Sequence, residues 1–147
     1  FGFEVLMQHV AGSTHFEIMY PNTDTSWSTL VPREELAKKL AAFDPKIVGL
    51  LDNLDDPVLA RALYFRAPIE RWSSKRITLL GDAAHSMLPT LGQGANSAIA
   101  GADALARALA ECGSVEEALQ QYENERRPIT TAIQNESQKF DKALDLV

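Results

Sequence analysis

With 147 residues, 46% of them hydrophobic and 23% charged, the chain has enough apolar material for the core of one domain or the remnant of a larger protein, and its composition is neither disordered nor fibrous. Twenty acidic against 14 basic residues give a net charge of −6 without a clustered Lys/Arg face, which argues against nucleic acid as a partner because neutralising phosphates needs concentrated positive charge. The lone Cys112 cannot close an internal disulfide, no apolar run is long enough for a membrane span and no secretory signal opens the chain, so a reducing, cytoplasmic setting is expected.

Phe1 to Met7 read as a strand entered midway, the expectation for a fragment. Residues 3–10 and 16–20 are rich in strand formers, and Ala11-Gly12-Ser13-Thr14 between them predicts an antiparallel hairpin. The polar cluster Pro21 to Ser26 predicts a surface loop. From Pro32 to Phe43 the spacing of Leu36, Leu40 and Phe43 predicts a helix, and Pro45 to Leu54 a second, shorter one. Residues 63–69 are expected to form a further strand.

The run Arg76-Ile77-Thr78-Leu79-Leu80-Gly81 is apolar without alternation, the pattern of a central strand buried on both faces of a parallel sheet. A loop with Pro89, Gly92 and Gly94 follows, then a long helix from about Ala95 to Cys112. Its predicted apolar face is Ala98, Ile99, Ala102, Leu105, Ala106 and Leu109, and its many alanines allow close approach of a neighbour. Gly113 suits the position that ends this helix, Ser114 with Glu117 forms a capping box for the next, and Pro128 is expected to bend or break that last helix.

The stretch from Ile77 to Leu109 carries the chemistry. In open parallel sheets ligands sit beyond the carboxyl ends of the strands, which is where Asp82 falls. Its carboxylate only accepts hydrogen bonds, which suits the hydroxyls of a sugar or sugar alcohol. Glycines 92 and 94 clear side chains from the loop, so backbone N–H groups can reach a flat or anionic ligand. The helix start adds a partial positive charge of roughly half an elementary charge.

Gly81-Asp82-Ala83-Ala84-His85, then Pro89, then Gly92-Gln93-Gly94-Ala95-Asn96, resembles the second flavin motif of class A flavoprotein monooxygenases, the enzymes related to para-hydroxybenzoate hydroxylase and salicylate hydroxylase. The resemblance is dense over residues 76–109 and extends loosely to Trp72 and to Tyr122 through Pro128. It implies that Asp82 bonds a ribityl hydroxyl of FAD and that backbone groups from Leu91 to Asn96 hold the pyrimidine edge of the isoalloxazine. Gly81 belongs to the same motif, and Pro89 is placed beside the ring and the substrate. The family's reaction, reduction of FAD by NADH or NADPH followed by oxygen transfer through a C4a-hydroperoxyflavin to a small aromatic substrate, follows as the implied function.

Two departures qualify the match. Where the family often carries Glu-Asp, the long helix has Ala100-Gly101, and a glycine inside a helix costs about 1 kcal/mol relative to alanine. No G-x-G-x-x-G is present, the fingerprint that the family uses for the FAD pyrophosphate. The chain is therefore expected to hold half a flavin site, to need the missing N-terminal half of the flavin domain as its partner, and to bind FAD weakly or not at all by itself, without activity.

Plainer readings stand beside these. An isolated Gly-Asp is usually a turn or cap, and only the accompanying motif raises Asp82 above that. His85 is read as a packing residue, no catalytic residue is assigned, and Ser86 lacks a nucleophile-elbow setting. His9 and His15 lack a third ligand, so no metal is expected. Trp27, Trp72, Tyr64 and Phe65 are read as core or interface residues, Cys112 as an inert thiol, and Glu123, Glu125, Arg126 and Arg127 as a solvated helix face.

The fold class expected is α/β, seen as α+β within this piece: part of a mixed-sheet substrate domain (1–70), the strand–loop–helix of a Rossmann-like FAD domain (71–112) and a C-terminal helical segment (113–147). A flavin-dependent reductase or epoxidase of the same fold remains open, as does a non-catalytic fragment with an incomplete flavin site; a homo-oligomer is compatible with all three. A solvent-exposed edge position for residues 76–81, or Asp82 facing away from residues 91–94, would defeat the flavin reading.

Overall fold

The computed structural model describes residues 4–24 and 26–143. They form two compact units, one of residues 22–63 and one that joins residues up to 21 with 64 onwards. Among the described residues no helix is long and apolar enough to cross a membrane.

In the larger unit, β1 (Glu4–Val10) pairs antiparallel with β2 (Ser13–Met19), with Val10 opposite Ser13. The connection is tighter than the sequence pattern predicts: Ala11 and Gly12 alone make the turn, both with positive φ, as a two-residue hairpin requires. The predicted residue 3 lies outside the described residues.

In the smaller unit, β3 (Ser28–Val31) pairs antiparallel with β4 (Val58–Arg61), and neither strand was expected. Between them lie α1 (Arg33–Lys39) and α2 (Pro45–Gly49), the latter running on into a 3-10 turn over Leu50–Asn53. The Asp44 side chain caps α2 by accepting the Lys46 N–H at 2.8 Å. Leu36, Leu40, Leu51 and Val31 are buried in this unit, and Asp56 accepts the Arg33 N–H at 3.1 Å.

The strand expected at 63–69 is absent. Those residues are irregular, and the polar groups of Arg66 bond to other segments instead of a ladder: the guanidinium donates to the Ala83 carbonyl at 2.5 Å, and the backbone carbonyl accepts from Gln134 at 3.2 Å.

The central buried strand expected at 76–81 also fails. Residues 72–79 fold into a narrow hairpin instead. Ser74 and Ile77 exchange backbone bonds of 2.8 and 3.0 Å, and Leu79 N–H reaches the Trp72 carbonyl at 3.2 Å. Ile77 is 73% exposed and Leu80 38%. Only Thr78 and Leu79 in the middle of the run are half-buried, because no strand lies beside it among the described residues. By the condition set from sequence this exposure defeats the flavin reading; the condition was ill chosen, because the same sequence reading expects the chain by itself to lack the parallel neighbours that would cover these residues.

The helical part came closer to expectation. α3 (Asp82–His85) is a single turn, a 3-10 turn covers Pro89–Leu91, α4 spans Gly94–Glu111 and α5 spans Val115–Ala143. Ser114 accepts the Glu117 N–H at 3.2 Å, as the capping box predicts. Gly113 does not take a left-handed conformation, and the cap is instead an extended Cys112. Pro128 leaves α5 unbroken. A proline removes one N–H bond, but burial on either side of it, at Tyr122, Thr130 and Gln134, holds the helix together.

The core gathers Trp72, Ala84, Ala104, Ala108, Ala118 and Tyr122. The buried face of α4 differs from the predicted one: it is the small-residue stripe Ser97, Gly101, Ala104 and Ala108, while Ile99 is 69% exposed. Small side chains win because α5 and Leu80 come close. A Cβ on Gly101 would sit 3.2 Å from Leu80 Cδ1 and 3.7 Å from the Tyr122 hydroxyl. That close approach gives a physical reason for a small residue where the family often has an acidic one.

Candidate functional site

The site begins where the 72–79 hairpin delivers the chain to Gly81. Tyr122, fully buried on α5, donates its hydroxyl to the Leu79 carbonyl at 3.1 Å. Gly81 (φ 60°, ψ −139°) is buried, and a Cβ there would lie 3.5 Å from Ala98 Cβ on α4. Its carbonyl accepts the N–H groups of both Ala84 and His85 at 2.9 Å, which winds the single turn of α3. Asp82 opens that turn and is exposed.

From Ser86 to Leu88 the chain is extended, then turns at Pro89, which is exposed; Leu91 is half-buried. Gly92 (φ 61°, ψ 18°) closes the turn by donating to the Pro89 carbonyl at 2.7 Å. This is the left-handed region, where a side chain costs roughly 1–2 kcal/mol, so glycine is required. Gln93 then caps α4 by backbone alone, and its carbonyl accepts the first helical bond from Ser97 N–H at 2.9 Å. The N–H groups of Gly94, Ala95 and Asn96 precede that bond, have no acceptor within the helix, and receive no side-chain cap from Gln93. Gln93, Ala95 and Asn96 are exposed and Gly94 is half-buried.

The structure thus sets Gly81 close to Ala98 on α4, with the exposed Asp82 next to it in the chain. His85 points elsewhere. It is buried beside Trp72, ring centroids 5.6 Å apart, and its Nδ1 has no hydrogen-bond partner. Burial pushes its pKa below the ordinary value, aided by the positive charge of Arg126 and opposed by a backbone contact and by Asp82. It is a neutral packing residue, as read from sequence.

Other sequence readings need correction. Of the four aromatics read as core or interface, Trp72 is core, whereas Trp27, Tyr64 and Phe65 are exposed and so are not core. Glu123 is not on a solvated face: it is buried, accepts the Ser73 N–H at 2.8 Å and faces Arg127 Nε at 3.4 Å. The half-buried Cys112 donates to Gln121 Oε1 at 3.3 Å. His9 Nδ1 meets Thr14 Oγ1 at 3.3 Å, and among the described residues no group of three or more His, Cys, Asp or Glu could hold a metal ion.

Sequence reasoning missed the groups that hold this segment in place. Arg66 bonds the Ala83 carbonyl, Gln134 Nε2 donates to the Ser86 carbonyl at 3.0 Å, and Ser137 Oγ to the Leu88 carbonyl at 3.4 Å. The signal was available in the run Thr130, Gln134, Ser137, polar residues at helical spacing along the face that begins with Ala118 and Tyr122.

Comparison with known proteins supplies the family. The family model described as FAD binding domain matches residues 12–137. Phenazine 1,6-dicarboxylic acid hydroxylase PhzS of Lysobacter antibioticus is 45% identical over 86 residues, 58% of this chain and 21% of that protein. Salicylate hydroxylase of Pseudomonas putida is 32% identical over 127 residues, 84% of this chain and 29% of that protein. A solved salicylate hydroxylase substrate complex matches in fold, with a TM-score of 0.79 and 24% identity, over 96% of this chain and 38% of that one. The chain therefore spans less than a third of the length of these two curated relatives. With the match running through nearly all of its residues, including both halves of the 81–96 motif, the chain belongs to the FAD binding domain family of the class A flavoprotein monooxygenases.

Proposed function

We propose that this chain is the C-terminal part of an FAD-dependent monooxygenase that hydroxylates a small aromatic or polycyclic substrate. One observation carries the reading: an exposed acceptor-only carboxylate, Asp82, directly follows Gly81, whose backbone runs so close to α4 that a Cβ there would lie 3.5 Å from Ala98 Cβ, and α4 itself opens with three amides, those of Gly94, Ala95 and Asn96, that receive no side-chain cap. That donor and acceptor set fits a ligand with hydroxyls along one part and a hydrogen-bond-accepting edge on another, as FAD has in its ribityl chain and pyrimidine ring. The hydroxylase relatives agree with it.

In this reading Asp82 accepts from a ribityl hydroxyl. The backbone from Leu91 through Gly92 and Gln93 to Asn96 holds the pyrimidine edge. The N-terminus of α4, with its partial positive charge, favours negative charge near N1 and C2=O. Pro89 borders the ring and the substrate. Bound FAD supplies the redox chemistry, with NADH or NADPH as reductant and O2 as the source of the transferred oxygen. Residues 1–70 belong to the substrate domain, 71–112 to the FAD domain and 113–147 to its helical support.

Asp82→Ala in the complete flavoprotein tests this. Losing a charged hydrogen-bond partner costs on the order of 1.5–3 kcal/mol, about ten- to a hundredfold in affinity. Titration of the apoprotein with FAD measures it, and an unchanged dissociation constant removes Asp82 from the site.

A further inference from the structure

A polar stripe on α5 holds the backbone that joins the two halves of the motif. Gln134 is 2% exposed, and its amide nitrogen donates twice, to the carbonyls of Arg66 at 3.2 Å and of Ser86 at 3.0 Å. One turn further along, the buried Ser137 donates to the Leu88 carbonyl at 3.4 Å and lies 3.4 Å from the Thr90 hydroxyl. Ser86 and Leu88 both have extended backbones, and the carbonyls of both accept from side chains of α5. Arg66 completes the arrangement from the other direction, through its guanidinium on the Ala83 carbonyl.

Among the described residues, no sheet fixes the segment held in this way. Backbone carbonyls in a dry interior need partners, and here the partners are side chains of a helix distant in sequence. Asp82 lies just before the held segment, and Pro89 and the amides of residues 94–96 at its far end or just beyond. The spacing between the acceptor and the donors of the site therefore depends on where α5 holds residues 86–90.

We propose that Gln134, with Ser137 in support, is a positioning residue for the flavin site: it sets the separation of Asp82 from the Pro89 turn and the α4 N-terminus without touching the ligand. The inference rests on the flavin reading of residues 81–96. It extends that reading to a residue outside the motif.

Gln134→Met in the complete flavoprotein is the test, because methionine keeps nearly the same length and volume and removes only the donors. Two measurements are made. Amide hydrogen exchange on the apoprotein is expected to quicken at least tenfold, on the order of one lost opening barrier, across residues 83–91 while α4 and residues 115–130 keep their protection. FAD titration is expected to show a dissociation constant raised about tenfold, with the flavin absorption bands shifted toward those of free flavin. Wild-type affinity in the methionine variant overturns the proposal, as does faster exchange spread evenly over α4 and α5, which marks Gln134 as a residue of general stability. If Gln134→Met does not fold, Ser137→Ala carries the same test with a smaller effect in the same direction, and its silence in both measurements overturns the proposal equally. Asp82→Ala, run in parallel, separates the two ideas: wild-type FAD affinity there defeats the flavin reading, whereas undisturbed exchange at residues 83–91 in the Gln134 variant defeats the tether.

Discussion

The hydroxyl of Tyr122 donates to the backbone carbonyl of Leu79 at 3.1 Å, binding the N-terminal third of α5 to the segment that leads into Gly81 and Asp82. Tyr122 is completely buried, its ring tilted by 45° against Trp72 with centroids 5.7 Å apart. Burial also raises its pKa, so the hydroxyl stays a donor across the working range of pH. Tyr122→Phe keeps the ring packing and leaves the Leu79 carbonyl without this donor. The expected loss is about 1–3 kcal/mol, the cost of an unsatisfied buried acceptor, read as a lower urea midpoint with an unchanged slope. No loss would mean that water reaches the carbonyl.

Gly101 offers a test with a sign that depends on size. Alanine there gains about 1 kcal/mol of helix propensity, against a contact of 3.2 Å with Leu80 Cδ1. Leu80 is 38% exposed, so its tip can swing aside. Gly101→Ala is therefore expected to be neutral or to stabilise by up to about 1 kcal/mol. Gly101→Leu has no room beside the Tyr122 ring, 3.7–3.9 Å away, and is expected to destabilise by about 1–3 kcal/mol. Thermal melts of the two variants decide the matter, and equal melting temperatures would show that the interface is looser than described.

His85 ties stability to pH. Burial holds its folded pKa below the ordinary value of 6.5, which the unfolded chain retains. Between those two values the unfolded state binds the extra proton, so acid favours unfolding. The contribution is fully present above pH 6.5 and is lost as pH falls below it. Urea midpoints at pH 7.5 and pH 5.0 are expected to fall further for wild type than for His85→Gln, which cannot titrate. Parallel falls would assign the acid sensitivity to other groups.

Gly92→Ala isolates backbone strain. Nothing lies within 4 Å of the position that a Cβ would take, so only the positive φ opposes the substitution. The expected cost is about 1–2 kcal/mol. Gly92→Asn, which tolerates the left-handed region better, is expected to lose less, and calorimetry of the pair compares them. An alanine variant as stable as wild type would show that the Pro89 turn relaxes freely.

Local signals in the sequence were read well where the information was itself local. The Ala11-Gly12 turn, the Ser114–Glu117 cap and the bounds of α4 each depend on residues within a few positions of one another. Errors came where the outcome depends on distant partners. The run 76–81 resembles a two-sided strand because its side chains are apolar, yet what lies beside it is set by other segments. The face of α4 was misjudged for the same kind of reason: bulk suggested Ile99 and Leu109, but the close approach of Leu80 and Tyr122 selects Ser97, Gly101, Ala104 and Ala108. β3 and β4 are four residues each, too short for alternation to register, and only their mutual pairing defines them. Of the candidate site, the ligand-facing motif was legible as a string of residue types. The supports Arg66, Gln134 and Ser137 lie 17–49 residues from the carbonyls they hold within the motif segment, and no spacing rule along the chain connects them.

The pair Gln134 and Ser137 has a mechanical consequence. Two surfaces that meet through aliphatic side chains can slide past each other by a helical turn, about 5.4 Å, and find nearly equivalent contacts. Discrete donors matched to discrete carbonyls allow no such slippage: displacing α5 along its axis by even half a turn would unpair Ser86 and Leu88 at once. A polar pair in an otherwise apolar seam acts in this way as an index, fixing register as a buried asparagine does in a coiled coil. An axial push or pull on α5 is thereby carried to residues 86–88 as displacement instead of being absorbed as slip.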